Sequence, residues 1–583
     1  MAHGNSVSSA LEAVSICPRQ QYRRPVKELS FEVASHVRAY LDHQSYEQAY
    51  IFLHSLVAAG TSITVPARPY AGLLAPPSQL ALASTLIVYP HITTRARSAE
   101  AIKGSDAALK YLRCVQDTVD LSAESLKTLR TAFTFADSRR RTNIYSPLNT
   151  PSSTRAFDVE QLNDVAANAK SLWRCAEDFW HVVGWAFNCS VKHRKRWERW
   201  RLWLDTMLSF LEVEWDHCNK NGGPLQDTLA WQYICSQEPL AGNTRKRILR
   251  ATFATGDPPS LNEFAEVWVK ETLDPKTTDT KRHSGVVDFE IGDIGDYASE
   301  DEDVDMENAL RSTVKGRKAR NASKILDAAL PPLEEATIPA YDAAVDRLGG
   351  MDAVNLRQRL VLLLSKVARE LPKNFTSVEG LFDTLALQLR YFPVFVLNLL
   401  ITTSRLSPAD QVALNVTIFS ALTSEKYINY TNRMPTQNEF EQLLLPYRAR
   451  TQSFAENAKV SLVLEQIFMS MMEPLRLEPT KALRKSVEVG IKERSNVKGR
   501  KENVEEDAGE EVLMTSSKRL HGLVQVLSVL KGAIPIRESP RKAKNMNSRF
   551  GNPPSFAMGL NINPTNMEAR VGVTAALRLL TSH

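Results

Sequence analysis

Apolar residues recur at three- and four-residue spacing through most of the 583 positions, and that rhythm commits the chain to amphipathic helices. In "SYEQAYIFLHSLV", Tyr46, Ala49, Tyr50, Leu53 and Val57 share one helical face. Ser45 stands where an N-cap belongs, its hydroxyl free to accept an amide of the first turn. A preceding helix, "ELSFEVASHVRAYLD", is broken from this one near Asp42–Ser45. "PPSQLALASTLIVYP" is a helix bracketed by prolines; "DAALKYLRCVQDTVD" and "SAESLKTLRTAFTFA" are two more, the second with a capping start over Asp120–Ser125. The eleven-residue run "YFPVFVLNLLI" is too short to span a bilayer, holds Pro393 and Asn398, and reads as a buried helix.

No strand ladder and no fixed-period repeat emerges. The expected fold is all-α: an irregularly stacked, solenoid-like helical body with disordered charged linkers. The expected organisation is a flexible N-terminus (1–28), an N-terminal helical domain (29–273) interrupted by a polar, Pro- and Ser-rich loop (137–155), an acidic-then-basic linker (274–324), and a C-terminal helical domain (325–482). A charged linker (483–517), a short helix (518–531) and a mostly disordered tail (532–583) complete it.

The N-terminus has no basic stretch leading into a long apolar run, so no secretory signal is expected. Six cysteines lie far apart with no CxxC pair, which fits a reducing compartment rather than a disulfide framework. The balance of 72 basic against 66 acidic side chains says little, but their distribution says more. Ten acids and no base lie between Asp288 and Glu307; six bases and no acid follow from Arg311 to Lys324. Such like-charge blocks resist collapse. Within the acidic block, "VVDFEI" places Val286, Val287, Phe289 and Ile291 beside carboxylates, the composition of a SUMO-interaction motif. That peptide would add as a strand to an exposed sheet edge, its acids meeting bases nearby. The plainer reading is a solvated acidic linker. Ser299 in "SEDE" fits an acid-directed kinase site and Ser539 in "RESPRK" a proline-directed one. "VKGRKAR" and "SPRKAK" are candidate nuclear-import patches, and the nucleus is the expected compartment.

Eight of the nine tryptophans fall between Trp173 and Trp231. In "KHRKRWERWRLWLDTMLSFLEVEW", Trp197, Trp200, Leu204, Met207, Leu208 and Leu211 form a helical stripe behind a basic start. Arg194, Lys195, Arg196 and Arg199 could touch DNA phosphates there, with the rings stacking on bases. The alternative is a core helix with a solvated basic end. Four Cys and three His between Cys175 and Cys235 include Cys189 and His193 one turn apart and the adjacent His217–Cys218. Zinc would need four such ligands to converge; small buried thiols among tryptophans are the simpler account. No phosphate loop, GxSxG elbow or HExxH is present, so no enzyme, cofactor or metal is expected.

The order of "DHQSYEQAYIFLHSL", "ALASTLIVYP", "ALKYLRCVQ", the Trp-rich helix, "SQEPLAGNTRKRILRATF" and "LRQRLVLLLSKVAREL" resembles the fungal fifth non-SMC element of the SMC five–six complex, a chromosome-maintenance ATPase. The resemblance is one of apolar pattern with scattered identities across most of the helical part. It implies a non-enzymatic, all-helical subunit that pairs with the sixth non-SMC element, acts with the SMC heads or arms in loading and ATPase restraint during DNA repair, and links to SUMO ligation. The charged tracts are outside it. A DNA-binding nuclear protein using the basic Trp/Arg helix is the alternative.

Overall fold

The chain turns from its first helix into its second at Gln44, which adopts a left-handed backbone with φ 55°. In the computed structural model, which describes residues 23–59, 71–96, 98–136, 162–235, 241–273, 340–423, 429–431, 433–472, 476–498 and 503–532, helix α1 spans Phe31–Asp42 and α2 Tyr46–Ala58. Ser45 is the N-cap of α2 by position, but its hydroxyl caps nothing. Its carbonyl accepts the Ala49 amide, the first hydrogen bond of the helix, and its own amide donates to Tyr40 O.

Helices α3 (Pro77–Val88), α4 (Ala99–Thr118) and α5 (Ala123–Ala132) follow. Pro77 opens α3, where a missing amide hydrogen costs nothing. Ser122 caps α5 by accepting the Ser125 amide, and Asp120 accepts both serine hydroxyls. Next come α6 (Leu172–Cys175), α7 (Phe179–Lys192), α8 (Arg194–Lys220), α9 (Leu229–Ile234), α10 (Ala241–Thr252) and α11 (Pro258–Glu263). Two three-residue strands, β1 (Val26–Glu28) and β2 (Gly72–Leu74), pair in parallel, with Val26 opposite Gly72. This scrap of sheet leaves the fold all-α.

The later helices are α12 (Ala340–Arg347), α13 (Met351–Glu370), α14 (Val378–Leu389), α15 (Val394–Thr402), α16 (Pro408–Leu422), α17 (Gln437–Glu439, continued by a π-turn through Leu444), α18 (Phe454–Met472), α19 (Lys481–Ser495) and α20 (Val504–Leu530). The eleven-residue apolar run contributes α15, with Pro393 at its N-cap. All described residues belong to one compact unit.

One departure stands out. Residues expected to form a charged linker, 483–517, are instead helical across α19 and the first half of α20. Leu483, Val487, Gly490 and Arg494 line the buried face of α19, and Glu506, Gly509, Val512, Leu513 and Ser516 that of α20. The spacing is helical, but glycine, glutamate and arginine fill inward positions that pattern reading assigns to apolar residues. Gly490 is needed for closeness: a Cβ there would collide with the Leu445 carbonyl oxygen.

Helix α8 runs through the middle of the first half, packing on α3, α4, α7, α9 and α13. The expected stripe of Trp197, Trp200, Leu204, Met207, Leu208 and Leu211 is buried, and so are Trp203, Phe210 and Trp215 on a wider arc. At ~25 cal/mol per Å², each fully buried indole contributes roughly 4–6 kcal/mol of transfer free energy.

Candidate interaction surfaces

The basic start of α8 is a set of cations with internal partners. Arg196 is 2% exposed and Glu271 fully buried. The Arg196 guanidinium donates to a Glu271 carboxylate oxygen at 2.7 Å, to Val88 O at 2.8 Å and to the Thr93 and Thr94 hydroxyls, while its cation lies over the Trp200 ring. Glu271 also accepts the Trp185 indole N–H. Burial pushes the Glu271 carboxyl up to about 7, against the pull of Arg196 and Trp185. Arg194 donates to Asp346 at 3.1 Å and Arg199 to Asp106 at 2.6 Å. Lys195 is exposed.

The four residues expected to face DNA are therefore divided. Arg196 is withdrawn from solvent, Arg194 and Arg199 are held by carboxylates, and Lys195 lies exposed. The tryptophans that would have stacked on bases are spent on one another: Trp200 stacks on Trp268 at 5.9 Å and meets Trp203 edge-on at 6.0 Å. A basic run beside an aromatic stripe does not reveal this, because the partners lie 75 to 152 positions away.

The Cys/His group does not converge. Cys189 is buried on α7, its thiol pushed well up by desolvation. His181 is tied to Ala265 O through Nε2 and takes the Glu177 amide at Nδ1. His193 caps α8 by position with its ring near Trp185, and Cys218 sits beside Arg130. Cys175 donates to Ala169 O. Among the described residues no group of three or more His, Cys, Asp or Glu side chains is placed to hold a metal ion.

One groove of about 200 Å³ lies between β1, the start of α3 and the start of α5, lined in part by Val26, Leu29, Ala34, Leu74, Pro77 and Thr128. Lys27, Glu28, Glu124 and Ser125 also line it, with the Ser125 hydroxyl donating to Asp120.

Val286, Val287, Phe289 and Ile291, together with Ser299 and Ser539, lie outside the described residues, as do both candidate import patches.

The charges that matter most to the architecture are ones that spacing does not announce. Arg357, fully buried, donates to Leu348 O at 2.5 Å and Ala254 O at 2.7 Å, with its guanidinium over the Phe187 ring at 4.1 Å. Burial lowers it to about 9. It joins the residue that follows α12 to the chain just past α10. Arg494 likewise donates to Leu445 O and Tyr447 O. No family model, curated protein or solved structure matches the chain. No helix among the described residues is long and apolar enough to cross a membrane.

Proposed function

We propose that the chain is a non-enzymatic scaffold and regulatory subunit of an SMC-type chromosome-maintenance and DNA-repair complex, working in the nucleus. It would bind a helical partner like the sixth non-SMC element, contact the SMC heads or arms, and engage SUMO or a SUMO ligase through the Val286–Ile291 segment. The observation that carries this reading is where the stretches resembling the fifth non-SMC element fall. "DHQSYEQAYIFLHSL" holds most of α2, "ALASTLIVYP" the later part of α3, "ALKYLRCVQ" much of the second half of α4, "SQEPLAGNTRKRILRATF" α10 and "LRQRLVLLLSKVAREL" most of α13. With α8 these are core-forming helices of a single unit, so the resemblance follows the framework of the fold rather than incidental surface. The pairing of Arg194 and Arg199 and the burial of Arg196 weigh against the alternative, direct DNA binding by the start of α8.

Affinity purification from the native source, read by mass spectrometry, tests the reading. Recovery of SMC subunits with a second helical non-SMC element is the expected result; their absence under conditions that keep other nuclear complexes intact would overturn it. For the SUMO arm, replacing Val286, Val287, Phe289 and Ile291 by Ala should abolish SUMO binding, and retained binding would reject that arm alone.

A further inference from the structure

The parallel strands β1 and β2 make a sheet of two, and along β1 successive residues turn their backbone groups to opposite sides. Pro25 O accepts the Gly72 amide, and Lys27 and Leu29 follow it toward β2. Arg24 faces the other way: its amide donates to Thr118 O at 2.9 Å and its carbonyl accepts the Asp120 amide at 2.8 Å. The Arg24 guanidinium donates to Val57 O and Ala59 O at the end of α2, which fixes the start of the strand. Val26 and Glu28 face the same outer side as Arg24. The segment that pairs with Arg24 leaves the strand after Asp120, because Ser122 caps α5 there. The third strand is therefore begun and not continued. Among the described residues, the amides and carbonyls of Val26 and Glu28 meet no partner on that side.

The groove of about 200 Å³ borders this vacant place. Val26, Lys27, Glu28 and Leu29 all line it. Side chains alternate across a strand, so a cavity that touches four consecutive residues meets the strand along its edge rather than on one face. The opposite wall is the first turn and a half of α5, at Glu124 and Thr128. Phe31 of α1 is 82% exposed and lies one turn before Ala34, a groove residue on the same helical face. Glu28 and Glu124 stand exposed on the two walls, and neither has an ion-pair partner among the described residues. Lys27 leaves the strand from the face opposite Glu28. Pockets for drug-sized molecules run to ~300–1,000 Å³, so this groove suits the side chains of a short peptide better.

We propose that the outer edge of β1 takes up an extended peptide of a partner protein as a third strand. The peptide backbone pairs with Val26 and Glu28, an apolar side chain enters the groove beside Leu29 and Phe31, and a neighbouring lysine or arginine meets Glu28 and Glu124. The occupant follows from the chemistry of the edge. A row of alternating amides and carbonyls at strand spacing is matched by another extended backbone. The apolar floor selects one side chain, and the two unpaired carboxylates set the sign of the charge beside it. The strand is held from behind by Arg24 and β2, so the edge is formed before the peptide arrives and binding orders the peptide alone.

The test selects a phage library of random peptides on the immobilised full chain, then measures the enriched peptides, synthesised with a fluorophore, by anisotropy. Enriched sequences should alternate apolar residues and carry a lysine or arginine. Val26→Pro removes an outward amide and no bond between β1 and β2, and it should weaken binding by ~10-fold or more. Glu28→Lys combined with Glu124→Lys should weaken it further in the same peptides. A scan of single N-methyl groups along the peptide should show a period of two, with binding lost at alternate positions and kept between them. No enrichment, equal binding to Val26→Pro, or an N-methyl scan without that alternation would each overturn the proposal. So would enrichment of acidic peptides that bind the doubly reversed variant more weakly. If Val26→Pro fails to fold, the N-methyl scan on the unmodified protein decides.

Discussion

Helices α8 and α20 are the same length, yet they are held by opposite means on the sides where α13 and α18 pack. Against α18, α20 buries Val512, Leu513, Leu520, Leu523, Val524 and Leu527. Its one described ion pair with that helix, Arg519 to Glu465 at 2.7 Å, sits beside a buried pair of serine hydroxyls, Ser461 and Ser516. Against α13, α8 offers Asp205, Ser209, Glu212 and Asp216, which take up charge. An apolar seam does not weaken as salt is added. An ionic seam sets register but yields to salt and competing charge. The α18–α20 contact is therefore an apolar spine, and the α8–α13 contact is set by matched charges.

The largest expected effect is on the spine. Leu520→Ala should cost ~2–5 kcal/mol, seen as a lower urea midpoint, because Leu520 is fully enclosed and its cavity cannot collapse. Next is the buried pair at the start of α8. The folded Glu271 carboxyl stands near 7, above the ordinary 4.5 of an unfolded chain. The folded state thus holds the proton more tightly, so this group's contribution is fullest below about 4.5 and is lost as pH rises to about 7. Glu271→Gln should flatten the dependence of stability on pH in that window, measured as the difference between the two proteins' urea midpoints. An unchanged slope would mean that Arg196 holds the carboxylate charged throughout.

Smaller effects belong to the ion pairs between α8 and α13. Arg359→Ala removes a charged fork that is largely buried and should cost ~1–3 kcal/mol, shrinking as salt is added. Lys366→Ala should cost no more than ~1 kcal/mol, since both members of its pair are substantially exposed. A loss at Lys366 equal to that at Leu520 would erase the contrast.

Fold class was legible in the sequence because apolar spacing carries it: α2, α3, α8 and α15 follow directly from Tyr46–Val57, Leu80–Val88, Trp197–Leu211 and Val394–Ile401. Helices α19 and half of α20 were not, because Gly490 and Gly509 mark close packing where glycine more often marks a turn, and because Arg494 and Glu506 face inward. Glu506 accepts from Ser453 and the Phe454 amide, a partnership invisible to local spacing. The basic run at Arg194–Arg199 was legible as charge and illegible as surface. Whether an arginine meets solvent or Glu271 is decided by tertiary packing, not by its neighbours in sequence.

The central claim is that this helical body acts by holding a chromosome-maintenance ATPase. Its most direct test is to add the purified chain, with its helical partner, to a reconstituted SMC five–six core and measure ATP hydrolysis. The account predicts a stoichiometric complex on gel filtration and a lower hydrolysis rate. Failure to co-migrate, with hydrolysis unchanged, would contradict it.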